Sequence, residues 1–324
     1  MRKECKVSKQ VNIARIQGYH QRTVRDFSYE NYAYQGYTKT LYLNSDRAEK
    51  TEVVNGVLVR ANGQPLQGIG LEVELESSIT RTDVLAEVME KVIFPVFKFG
   101  ADMFKMQSDC SLGGRTSVEA ITQPMTISRI RNDYPAWQAM FDKYFPTFGI
   151  KADSYETSCG MHVNVSNALF GKTEEKQIDA IRKLYYIVNR HYNVMCKAFY
   201  RCPEKTRWCG RMDYSNARNL DLYHADGSHG NCMNLSHFGA GRVEIRLVGG
   251  QRDYYGFRNT METIFHLISR VRTISWADCD DLVKIFSGCN QYVMKRLPDC
   301  GLDADTLRAI EATVKHEDFD LRRA

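Results

Sequence analysis
Three stretches of this chain alternate without a break between apolar residues and residues able to do chemistry. They are Gly70-Leu71-Glu72-Val73-Glu74-Leu75-Glu76, Cys159-Gly160-Met161-His162-Val163-Asn164-Val165 and Arg242-Val243-Glu244-Ile245-Arg246-Leu247-Val248. Neighbouring side chains of an extended strand point to opposite faces of its sheet. One face of each stretch is therefore apolar. The other carries Glu72, Glu74 and Glu76, then His162 and Asn164, then Arg242, Glu244 and Arg246. Carboxylates on one strand face repel, and burial raises the cost. A cation turns that repulsion into attraction. Carboxylates with one imidazole suit a hard divalent ion such as magnesium or manganese, and arginine suits phosphate oxygens. Together they read as a nucleotide phosphoryl-transfer site. Plainer readings are a solvated acidic strand, a core histidine and an Arg246–Glu244 ion pair of small worth.

Two further pieces lie between the first and second stretches: Asp109-Cys110-Ser111 and Glu119-Ala120-Ile121-Thr122-Gln123-Pro124. In this order, over residues 70–268, the motifs resemble the amidoligase family. That family belongs to the carboxylate–amine ligase superfamily, with glutamine synthetase and glutamate–cysteine ligase. The resemblance implies an α+β fold like the glutamine synthetase catalytic domain: a curved, mostly antiparallel sheet with helices on one face. It implies that the concave face binds ATP and two divalent ions, Mg2+ or Mn2+. The implied reaction joins a carboxylate to an amine. The γ-phosphoryl group of ATP makes an acyl phosphate, and the amine then displaces phosphate.

On this resemblance Glu74 and Glu119 are expected to hold one ion, and Glu72, His162 and Glu244 the other. Arg246 is expected against the transferring phosphoryl group. Asp109 and Ser111 occupy the family's D-x-S turn, with a structural or substrate-positioning role. Many relatives have a second histidine where this chain has Asn164, which leaves a cofactor contact there in question. Arg207, Arg211 and Arg218 in the following loop could reach phosphates or a substrate carboxylate. Two other function classes compete. One is a guanidino-kinase-like phosphotransferase on the same fold; the other is a non-catalytic binding or structural protein that retains it. The acid and amine could be free amino acids, a peptide, a protein side chain or a cell-wall fragment, and an oligomer is compatible with the family.

The chain has 324 residues, enough for one large domain or two small ones. Its 44 basic and 39 acidic residues give a net charge of +5, too mild to point to nucleic acid. No run of about 18 apolar residues offers a membrane span. Met1-Arg2-Lys3-Glu4-Cys5 leads into polar sequence without an apolar signal core. The 10 cysteines are scattered without a Cys-x-x-Cys pair, which predicts free thiols in a reducing cytoplasm. Cys202, Cys209, His224, His229 and Cys232 invite a zinc reading, but their spacings match no common zinc pattern.

The resemblance implies a catalytic domain over 66–275, and composition and pattern predict a tyrosine-rich arm with a hairpin over residues 1–65 and a peripheral helical segment over 276–324. The aromatic arm suits packing on its own domain or on a partner, or stacking on single-stranded nucleic acid. Asn55-Gly56 predicts the hairpin turn. Apolar spacing predicts helices from Thr82 to Phe94, from Asp133, from Thr173 and across Phe257 to Ile268, with a short one over Ala304 to Val314. Residues 201–232 are irregular and polar, as functional loops are.

Overall fold
The first described strands are β1 (Leu41–Leu43), β2 (Ala48–Val54) and β3 (Val57–Arg60), which form a small antiparallel sheet. Val54 pairs with Val57 across Asn55-Gly56, whose φ values of 52° and 80° suit a tight hairpin turn. The structure is a computed structural model and describes residues 41–79, 82–108, 117–154, 159–204, 209–225, 227–228 and 230–315. Most of the expected arm, Asp109, Ser111 and Arg207 lie outside the described residues.

The motif strands belong to one larger sheet. Its members are β4 (Ile69–Ser77), β5 (Phe104–Ser108), β6 (Ser117–Thr122), β7 (Ile150–Lys151), β8 (Met161–Ser166), β9 (Met233–Asn234) and β10 (Arg242–Ile245). Their order is β5-β6-β4-β8-β10-β9, with β7 beside the end of β4, and every pairing is antiparallel. β4 is thus central, flanked by β6 and β8. The chain is a mixed α/β protein with antiparallel sheets.

The apolar face of this sheet joins the helices in one core. Leu71, Val73, Leu75, Val163, Val165, Val243 and Ile245 are all buried there. Helix α1 (Thr82–Val88) supplies Val84, Leu85 and Val88. Its regular part is shorter than the sequence predicts: a π-helical turn (Met89–Ile93) and a 3-10 turn (Phe94–Val96) follow. Pro95 lacks the amide that would continue the ladder. Helix α2 (Ile127–Asn132) precedes the expected helix α3 (Tyr134–Gln138). Trp137 stacks on Phe257 at 4.4 Å between ring centroids. The long helix expected from Thr173 is two: α4 (Glu174–Arg190) and α5 (Tyr192–Ala198). They part at His191, whose ring nitrogen lies 3.0 Å from the Cys279 carbonyl oxygen.

Helix α6 (Tyr254–Val271) buries Phe257, Met261, Ile264, Phe265 and Ile268 completely. Each such side chain contributes roughly 1.5–3 kcal/mol relative to an exposed one. The Asp253 carboxylate caps it by accepting from the Gly256 amide at 2.8 Å. Residues 276–315 pack more deeply than a peripheral tail. Ile285, Phe286, Val293 and Leu297 enter the same core, and Asn290 donates to Glu262 of α6 at 2.8 Å. Glu262, 1% exposed, also accepts from Arg131 and Tyr134, so this buried carboxylate ties three segments together. Among the described residues no helix is long and apolar enough to cross a membrane, and the eight described cysteines are free.

Candidate functional site
Strand register sets the polar face. Glu74 lies opposite Glu119, Glu72 opposite His162, and Asn164 opposite Glu244, which in turn lies opposite Asn234. Four neighbouring strands thus bring one row of ligands together. The alternation that faces Leu71, Val73 and Leu75 into the core aims the glutamates at this row. Arg246 follows β10 by one residue and keeps the facing of Glu244; its Nη1 donates to Glu244 Oε1 at 2.6 Å. The row is not a solvated surface. Glu72, Glu74, Glu119, Glu244, Arg246 and His162 are each no more than 9% exposed.

His162 is the hub. Its Nδ1 lies 3.2 Å from Glu72 Oε2 and 3.5 Å from Glu244 Oε1, and its Nε2 lies 3.7 Å from Glu74 Oε1. Burial lowers its pKa from the ordinary imidazole value. The charges of Arg246 and Arg201 act in the same direction, against the upward pull of Glu74 and Glu244. A neutral imidazole carries one N–H only. One ring nitrogen therefore turns a lone pair toward a carboxylate, whichever tautomer forms. A divalent cation resolves that conflict and the repulsion of the carboxylates.

The ligand atoms fit such an ion. Glu72, Glu119 and His162 each offer one atom within 4.8 Å of the others. This trio takes one member from one expected ion set and two from the other. Glu74 turns one oxygen, Oε2, toward the Gly160 amide, which donates to it. Oxygen-rich ligands with one nitrogen suit Mg2+ or Mn2+ better than a thiolate metal.

Asn164 lies within the row and is tied on both sides. Its Nδ2 donates to Glu72 Oε1 at 2.8 Å and its Oδ1 accepts from Arg242 Nε at 3.1 Å. It fixes the orientation of the Glu72 carboxylate. Asn234 does the same for Glu244 Oε2 at 3.0 Å. Arg211 and Arg218 are not brought to this row. Arg211 donates to Asn189 O and Tyr214 Oη, and the Arg218 guanidinium lies over the Trp276 ring at 5.1 Å. Their flat, delocalised cations suit these carbonyl and aromatic partners on the helical side. Among the described residues Cys202, Cys209, His224 and Cys232 bring no metal-type ligand group together, and His229 lies outside the described residues. Cys209 and Cys232 are buried, while His224 is exposed against Asp221. Burial pushes the Cys232 thiol up to about 12.

Three residues of the site escape the motif reading. Asn234 sits on a two-residue strand with too little alternation to show. Lys105 lies on β5 opposite Ile121, itself opposite Glu72, so it faces the same way as the row. Burial drives its pKa down to about 7. The Phe104-Lys105-Met106 alternation carried that signal. Arg201 stands in an irregular segment where spacing says nothing. No protein-family model and no curated protein matches the chain.

Proposed function
We propose that this chain is an ATP-dependent carboxylate–amine ligase of the amidoligase kind, on a fold like the glutamine synthetase catalytic domain. The observation that carries the reading is the buried Glu72–Glu119–His162 trio beside the Arg246–Glu244 pair. Buried charges of one sign need a counter-ion, and a neighbouring guanidinium suits phosphate.

Glu72, Glu74, Glu119, His162 and Glu244 would hold Mg2+ or Mn2+, which when bound offsets charge on the nucleotide phosphates. The substrate carboxylate takes the γ-phosphoryl group of ATP and ADP leaves. The amine then attacks the acyl carbon, phosphate leaves and the nitrogen gives up a proton. Arg246 is held by Glu244 in a fixed orientation, ready for the equatorial oxygens of the transferring group. Asn164 and Asn234 keep Glu72 and Glu244 from turning away. Burial of the row keeps water from an acyl phosphate, which water would hydrolyse.

The test is ADP release with Mg2+ and ATP, screening amino acids singly and in pairs. The ligase requires an acid and an amine together, and yields ADP, phosphate and an amide. ADP release with an amine or guanidine alone, giving a phosphorylated product and no amide, would assign a phosphotransferase instead.

A further inference from the structure
Arg201 belongs to none of the motifs, yet the backbone around it is shaped to hold it beside them. Tyr200, the residue before it, has φ 57°, a left-handed conformation that residues with side chains rarely adopt. Such conformations persist where the surroundings enforce them, and they gather at functional sites. Here the Tyr200 carbonyl oxygen packs onto Gly249, where a Cβ would lie only 2.3 Å from it. The Asn259 side chain donates to the Tyr200 hydroxyl at 3.0 Å.

The Arg201 guanidinium is fixed from one side. Its Nη2 donates to Val248 O at 2.7 Å and to Arg246 O at 3.4 Å. That second contact joins Arg201 directly to the backbone of Arg246. Gly160 stands beside the same Nη2. A Cβ there would lie 3.0 Å from Arg201 Nη2 and 3.2 Å from Glu74 Oε2. The missing side chain is what lets the guanidinium and the ligand carboxylate come together. Arg201 Nε is enclosed and has no hydrogen-bond partner among the described residues. Most enclosed N–H groups find a partner, so this one calls for an explanation. An enclosed N–H of a charged fork, next to a row of metal-type ligands, suits an arriving oxyanion.

Resting on the ligase reading, we propose that Arg201 is a second phosphate-contacting arginine, which binds the terminal phosphoryl group of the nucleotide from the Gly160 side while Arg246 binds it from the Glu244 side. Neither Arg211 nor Arg218 then needs to enter the site.

Calorimetric titration of the full chain with tripolyphosphate and with ADP, both with Mg2+, tests this. Arg201→Met is expected to weaken tripolyphosphate binding by about 10-fold or more, the worth of one charge-assisted contact, with ADP affinity changed far less. Arg201→Lys keeps the charge and one donor toward the carbonyls, so it covers the case in which the Met variant does not fold. It is expected to lose part of the same affinity. Unchanged tripolyphosphate affinity in folded Arg201→Lys or Arg201→Met, with only a lower melting temperature, would make Arg201 a structural tie and overturn the proposal while leaving the ligase reading intact. A wild-type chain that binds neither tripolyphosphate nor ATP would overturn both. Arg201-dependent tripolyphosphate binding without acid- and amine-dependent ADP release would keep this site and remove the ligase.

Discussion
Glu74→Gln is expected to lower turnover by about 10³-fold or more, to background, while leaving the fold intact. The carboxylate faces Glu119 across the β4–β6 pair and lies 3.7 Å from His162 Nε2. Glutamine keeps the shape and an oxygen for the Gly160 amide, so the backbone contact survives. What it removes is one negative charge from a row that repels itself when no ion is bound. The ion-free variant should therefore melt at the same temperature as ion-free wild type or above it. Thermal unfolding in chelator checks this part. Should ion-free Glu74→Gln melt well below ion-free wild type, Glu74 has a structural ion-pair role and the ligand assignment fails.

Arg246→Lys is expected to lower kcat by about 10²-fold or more, with little change in nucleotide affinity. Charge spreads over three equatorial oxygens during phosphoryl transfer, and a planar fork meets them better than an ammonium does. Lysine keeps a cation against Glu244, which is fully buried and would be costly to leave alone. A purely structural pair predicts the reverse: a lower melting temperature and near-normal kcat in the folded fraction. Melting and steady-state kinetics on one preparation separate the two outcomes.

Strand alternation made much of this arrangement legible. In β4 the apolar residues had to face a core, so the side of Glu72 and Glu74 followed. Glu119 and Glu244 were readable for the same reason. What the sequence could not tell is which strands are neighbours. The trio of Glu72, Glu119 and His162 depends on β4 lying between β6 and β8, and pairing between distant segments leaves no local mark. The loop arginines show the same limit. Arg211 and Arg218 are as suitable in type as Arg201, but only folding gives the first two to Tyr214 and Trp276. The break at His191 coincides with a tertiary hydrogen bond that no local spacing shows, and the change from α-helical to π-helical turns after Val88 lies within an apolar spacing that runs on through it.

Burial of carboxylates around a neutral imidazole makes the divalent ion the centre of the account, so the direct measurement is ATP binding by calorimetry with Mg2+ and again in excess chelator. Saturable binding is expected with Mg2+, and its loss in chelator. Equal ATP affinity under both conditions would contradict it.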